Sequence, residues 1–255
     1  MQDFELVIGI HSIEASLSTR LNEVRKLYYT EEAKKEVGAQ KKWKDYFALP
    51  CAQQISSGSL QNMAQKMMQD LDFTYQRIPS GMFCVVERRQ FLDLENLYNA
   101  LKEKTIKKIL CLDGVTDIHN GGAILRTASF YGVDAIIWGL RFEKGISPGL
   151  YRNASGAVDF LNLYQTNHLN RVVQKLGELG VTTIGLSEHA TDSVNEREPS
   201  DEPIALILGA EDKGISNAVM RNVQKKMALA TLGKIESLNV SVAAAVCMEK
   251  LFSTL

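Results

Sequence analysis

Cysteine and histidine are sparse in this 255-residue chain, and neither forms a ligand pattern. The cysteines stand at 51, 84, 111 and 247 with no C-x-x-C pair, and the histidines at 11, 119, 168 and 189 with no H-x-x-x-H pair. Reduced thiols and no metal site are therefore expected. No stretch approaches the roughly 18 uninterrupted apolar residues a membrane span requires, and Asp3, Glu5 and Glu14 interrupt the opening, so a soluble, cytoplasmic chain is expected. An excess of one charge is also missing. The net charge is −1, with 14 basic and 14 acidic side chains up to residue 104, then 15 and 16 beyond it. Binding a polyanion would need local clusters. The candidates are Lys34, Lys35, Lys41, Lys42 and Lys44, then Arg88 and Arg89, then Lys225 and Lys226. The plainer reading of each, and the one base rates favour, is a solvated helix face.

Two nucleotide signatures are absent as well. No G-x-G-x-x-G follows the first apolar strand of the second half. The segment LILGAEDKGIS, residues 206–216, has the glycine spacing of a phosphate loop, yet Ile215 stands where a Lys would have to reach the phosphates. That substitution argues against a nucleotide hydrolase.

What is present divides in two. Before residue 91, ELVIGI, KLYYT and MFCVVERR read as strands and KKWKDYFAL and LQNMAQKMMQDL as helices, a small α/β domain over 1–90. Met63, Met67 and Met68 read there as core fillers, with a methionine-lined groove as the alternative. FLDLENLYNALKEKT, 91–105, carries Leu94, Leu97, Tyr98 and Leu101 at helical spacing and reads as a linker helix. From 106 to 255 the strands become continuously apolar (KKILCLDGV, DAIIWGL, VTTIGLS, PIALILGA, KKMALATL) and alternate with helical segments, which predicts a parallel sheet covered on both faces. Such sheets bind ligands beyond the carboxyl ends of their strands. Three segments occupy such ends: DIHNGGAILRTA, LGAEDKGIS and GKIESLNVSVA.

Each has a structural reading beside a functional one. Asn120 is compatible with a helix N-cap, and Arg126 with either a structural ion pair or an anion-binding group. Glu211 suits a helix start, and Ser237 could cap the last helix, with Asn239 in its first turn.

Taken together, N-x-x-x-x-x-R-T-A, L-G-A-E-x-x-G-I-S and E-S-L-N-V-S-V-A-A-A closely resemble the three motifs of the SpoU (TrmH-like) RNA ribose methyltransferases of the knotted SPOUT class. VIGIHSIEASL near the start resembles the small substrate-binding domain of many members. The resemblance implies an α/β fold with a trefoil-knotted methyltransferase domain, an exception to the rule against threaded chains. It implies S-adenosylmethionine as cofactor, held at Leu208, Gly209, Gly214, Ile215, Leu229, Leu238 and Asn239, and methyl transfer to a ribose 2′-hydroxyl. It assigns Arg126 to the reacting hydroxyl, with Asn120, Glu211, Ser237 and Asn239 as polar active-site positions. A guanidinium stays protonated, so stabilising charge is an easier role for Arg126 than acting as base. The partner implied is RNA, ribosomal RNA favoured over transfer RNA because of the small N-terminal domain; a catalytically silent RNA-binding homologue is the other reading. A homodimer is implied through the last helix, read as Ser237 to Thr254, with Ala243, Ala244 and Cys247 as a small face for close helix approach. The chain departs from the family at Leu229, Ala230 and Thr231, where Ile-Pro-Met is common, in the segment Arg152 to Ala157, and around Ser80 and Gly81.

Overall fold

A computed structural model describes residues 3–194, 201–231, 233–235 and 237–253. They fall into two units, one formed by residues up to 90 together with 142–160, the other by 91–141 together with 161–255. Among the described residues no helix is long and apolar enough to cross a membrane.

The first unit is a four-stranded sheet in the order β1 (Phe4–Ile8), β4 (Met82–Glu87), β2 (Val24–Tyr29), β3 (Ala52–Gln54). β4 runs antiparallel to both neighbours, and β2 and β3 run parallel. The apolar stripe of α4 (Ser57–Asp70) buries Leu60, Ala64 and Met68 against Leu6, Ile8, Tyr28, Phe83 and Val85, with Met63 and Met67 packed at the margin. The methionines are thus core fillers, at helical spacing on one stripe. α2 (Glu31–Val37) is capped by Thr30, whose side chain accepts from the Ala33 amide, and is followed by α3 (Lys41–Phe47).

Residues 142–160, which the sequence reading keeps in the later domain, pack instead on β1 and on α1 (Ile10–Thr19). They form α7 (Pro148–Ala154) and α8 (Ala157–Phe160). Chain order gives no sign of this excursion; its cause is polar. Glu5 on β1 is 1% exposed, and its carboxylate accepts from the Ile146 amide at 2.8 Å and the Tyr151 hydroxyl at 2.7 Å. Ser12 donates to the Tyr151 carbonyl and accepts from the Gly156 amide. Gly156 has φ +94°, and a Cβ there would stand 3.0 Å from both Ala15 Cβ and the His11 carbonyl oxygen, so the close approach of the segment to α1 needs glycine.

Arg88 and Arg89 serve the same packing. The Arg88 guanidinium donates to the Phe142 and Glu143 carbonyls, and Arg89 pairs with Asp159, whose buried side chain also meets Arg20 at 3.5 Å and Ser16. These two arginines, one of the candidate clusters for a polyanion in the sequence, are structural here. An arginine next to another was ambiguous in sequence because its partner lies 70 residues away.

In the second unit, seven strands form one sheet in the order β7 (Leu163–Gln165), β6 (Ala135–Trp138), β5 (Lys108–Asp113), β10 (Ile204–Gly209), β8 (Thr182–Leu186), β11 (Lys225–Ala228), β9 (Asp192–Ser193). Every pair in it is parallel. β10 is buried on both faces from Ile204 to Leu208, which is why its sequence is an unbroken apolar run. One face takes Ala205, Ile207, Ile109, Cys111 and Ile137 into a core with α5 (Leu94–Lys102) and α9 (Leu169–Glu178). α5, predicted as a linker, therefore buries Leu97 and Leu101 in this unit. By the two-residue alternation of a strand, Leu206 and Leu208 point to the other face. There α11 (Val240–Phe252) packs on β10 and on α6 (Ile118–Phe130).

Candidate functional site

The three segments singled out in the sequence converge beyond the carboxyl ends of the central strands, all within the second unit. β10 ends at Gly209, and the chain doubles back at once: Ala210 and Gly214 form an antiparallel bridge, with the Gly214 amide 2.8 Å from the Ala210 carbonyl. A Cβ on Gly209 would stand 2.0 Å from the Gly214 carbonyl carbon and 2.1 Å from the Ile215 nitrogen. Backbone fills the place of a side chain, and Gly214 makes the turn with φ +62°. The glycine spacing that resembles a phosphate loop thus serves a hairpin-like return. After it Ser216 opens α10 (Asn217–Met220).

The polar residues of the three segments form one cluster centred on Asn239. Its amide nitrogen donates to Asn120 Oδ1 at 3.0 Å and to Glu211 Oε1. Its oxygen accepts from the Ser241 amide at 2.9 Å and the Ser241 hydroxyl at 2.6 Å. Asn239 is therefore the N-cap of α11, and the helix starts at Val240; the reading of Ser237 as cap is corrected. Asn120 is not a cap either. Asp117 caps α6, accepting from the His119 and Asn120 amides at 2.8 Å, which leaves the Asn120 side chain free for Asn239. In each segment two side chains capable of capping competed, Asp117 with Asn120 and Ser237 with Asn239, and the backbone amides decided between them.

A cleft of about 940 Å³ opens beside this cluster. Leu208, Gly209, Gly214, Ile215, Leu229 and Leu238, expected from the sequence to hold a cofactor, all line it, as do Glu211 and Ser237. Asn239, expected in the same set, is not among the lining residues; its side chain bonds Asn120 and Glu211. Arg126 lies on α6, exposed, with no ion pair or hydrogen bond among the described residues, so the structural-pair alternative has no partner there. The sequence reading missed several contributors, Ser187, Asn217 and Lys226 in the lining among them. Glu188 and His189, after β8, line the cleft, and Asp113, the last residue of β5, accepts from the Ser216 amide at 2.7 Å. An acid closing an apolar parallel strand was the available signal for Asp113.

The arrangement suits a flat, largely apolar ligand with a polar edge, held by tight backbone and aliphatic walls. A triphosphate has no phosphate-binding Lys at Ile215.

Residues 107–249, more than half the chain, match the model of the SpoU rRNA Methylase family. Curated relatives include the 23S rRNA (guanosine-2′-O-)-methyltransferase RlmB of Nitrosomonas europaea, 35% identical over 168 residues, a match spanning 66% of this chain and 64% of that relative. The RlmB of Pseudomonas putida is 28% identical over 251 residues, 97% of this chain and 96% of that protein. Among solved structures, an RNA 2′-O ribose methyltransferase superposes with a TM-score of 0.71 at 21% identity, covering 98% of this chain and 88% of that one. The SpoU methyltransferase AviRb of Streptomyces viridochromogenes, in complex with AdoMet, gives 0.69 at 21% identity over 97% and 89%. These two likenesses show the fold.

Proposed function

The chain belongs to the SpoU rRNA Methylase family, and from that premise we infer that it is an S-adenosylmethionine-dependent methyltransferase acting on a ribose 2′-hydroxyl of ribosomal RNA. The observation that carries this reading is the hub at Asn239, which joins Asn120, Glu211 and the α11 cap beside a cleft lined by the expected cofactor residues. The cleft fits the cofactor: at Gly209 a side chain is excluded by backbone, Leu208, Ile215, Leu229 and Leu238 offer aliphatic walls, and the position after Gly214 that carries Lys in a phosphate loop is Ile215, the lysines of the lining being Lys213 and Lys226. Bound there, S-adenosylmethionine supplies an electrophilic methyl group.

The residues then have separable tasks. Gly209 and Gly214 keep the loop folded back, and Leu229 and Leu238, which line the cleft, would hold the adenosyl group. Asn239 holds Glu211 and Asn120 in fixed relation, so that the ribose meets an oriented polar edge, and orientation alone can supply much of the acceleration. Arg126, with no partner among the described residues, binds the phosphate next to the reacting ribose and stabilises the negative charge that develops on the 2′-oxygen. Ser237, at the cleft wall, offers a hydroxyl to the same edge.

Recognition of RNA rests on both units. With Arg88 and Arg89 engaged by the 142–160 segment, and Lys42 paired with Glu14 and Lys35 with Glu31, the members of the expected basic clusters left for phosphate contact in the first unit are Lys34, Lys41 and Lys44, and Lys26, Lys66, Arg77 and Arg152 are further exposed cations of that unit. A looped or single-stranded target fits, because the hydroxyl must be splayed into the cleft.

The protein acts as a homodimer through α11 and α6 in this reading. Ala243, Ala244 and Cys247, the small face expected there, are buried within the chain, at 6%, 0% and 0% exposure. The apolar groups left outside are Val242 and Val246 on α11 and Phe130 on α6, and these support an interface. Sedimentation showing a monomer at micromolar concentration would refute it.

The test of the function is transfer of labelled methyl from S-adenosylmethionine to ribosomal RNA lacking the modification. The expected product is a 2′-O-methylnucleoside after digestion; label in a base, or none, would refute the reading.

A further inference from the structure

β5 and β10 end in register, with Asp113 paired with Gly209. Because the loop after Gly209 returns over its own strand end, the Ser216 backbone N–H arrives 2.7 Å from Asp113 Oδ2. The loop is thereby tied at two points. Near its start, Glu211 is held by Asn239 of α11, and at its end, Ser216 is held by Asp113 of β5. Between the ties Ile215 is 8% exposed and packs into the core shared with α9. Of the two ties, the one at Asp113 grips backbone, and a carboxylate accepting an amide proton makes a stronger bond than a neutral acceptor would.

We propose that Asp113 is a positioning residue for the cofactor. Its carboxylate fixes the far end of the 209–216 loop, so that the cleft wall formed by Gly214 and Ile215 is already in place when the ligand arrives. The proposal rests on the reading that this cleft holds S-adenosylmethionine. Asp113 itself is not among the residues lining the cleft, so its effect reaches the ligand through Ser216 and the loop. Preorganisation of this kind raises affinity by removing the ordering cost from the binding step.

The two partners of the bond can be removed independently. Asp113→Ala deletes the acceptor, and Asp113→Asn keeps an acceptor oxygen while deleting the charge. Ser216→Pro deletes the donor from the other side; the Ser216 φ of −60° matches proline, and its side chain caps nothing. Calorimetric titration of each full-length protein with S-adenosylmethionine, alongside thermal melting without ligand, reads the outcome. Asp113→Ala and Ser216→Pro should each weaken binding about tenfold, the double variant should be no weaker than either, and Asp113→Asn should recover most of the loss. The unliganded melting midpoints of the Asn variant and the wild type should coincide. Unchanged affinity in Asp113→Ala, additive losses in the double variant, or equal losses in Asn and Ala would each overturn the proposal. Absence of binding by the wild-type protein would instead remove the cofactor reading on which the proposal stands.

Discussion

The two units use polar side chains in opposite ways. In the first, Glu5, Arg20, Arg89, Asp159 and Tyr151 are withdrawn from water and bonded to one another, so that charge holds the 142–160 segment in place. In the second, Asn120, Glu211 and Asn239 meet at the rim of a cleft, and Arg126 projects with no protein partner among the described residues. Charge that is buried and paired is committed to the fold. Charge that is ordered nearby but left open to solvent is available to a ligand, and that difference separates scaffold from site better than residue type does.

The largest effect should come from breaking the committed network. Asp159→Ala leaves Arg20 and Arg89 without their shared carboxylate, which should destabilise the first unit by about 3–5 kcal/mol in denaturant unfolding. S-adenosylmethionine affinity, a property of the second unit, should hardly change. A loss below about 1 kcal/mol would show that water reaches this network after all.

Arg126→Ala should do the reverse. Methyl transfer should fall by roughly 10²–10³, as when an oriented charge-stabilising group is lost, while stability stays within about 0.5 kcal/mol and cofactor affinity within a small factor. Parallel loss of activity and cofactor binding would place Arg126 in the pocket wall instead. Gly209→Ala sharpens the contrast within the site itself. Its new Cβ would meet backbone at 2.0 Å, so the loop must shift, and S-adenosylmethionine binding should weaken by at least about tenfold.

The smallest effect is a pH dependence in the committed network. Burial, as the main cause, holds the Glu5 carboxyl above its usual 4.5. The unfolded chain releases that proton first, so the stability contributed by the protonated buried group is complete below about 4.5 and is lost as pH rises through the higher folded value. Glu5→Gln cannot titrate. Its melting midpoint should therefore gain on that of the wild type as pH rises from about 4 to 7, whatever the difference at the acid end. A constant difference across that range would contradict the assignment.

The sheet of the second unit was legible because unbroken apolar strands alternating with periodic helices have one common solution. Gly209 and Gly214 were legible as a glycine-spaced loop at a strand end, and the three polar motifs by their joint resemblance to a family. What escaped depended on long-range partners. The role of Arg89 is set by Asp159, and the membership of 142–160 in the first unit by Glu5 and Ser12, none of which leaves a local pattern. The caps of α6 and α11 escaped for a subtler reason: Asp117 and Asn120, like Ser237 and Asn239, are pairs of plausible caps three or two residues apart, and only the path of the chain selects one.

The central claim, that the open cluster in the second unit methylates a ribose, is tested most directly by mapping 2′-O-methylation across ribosomal RNA. The cells compared would be wild type, a strain lacking the gene, and that strain complemented with either the intact gene or the Arg126→Ala variant. A discrete modification should vanish on deletion, return with the intact gene and stay absent with the variant. An unchanged map on deletion, or full restoration by Arg126→Ala, would contradict the account.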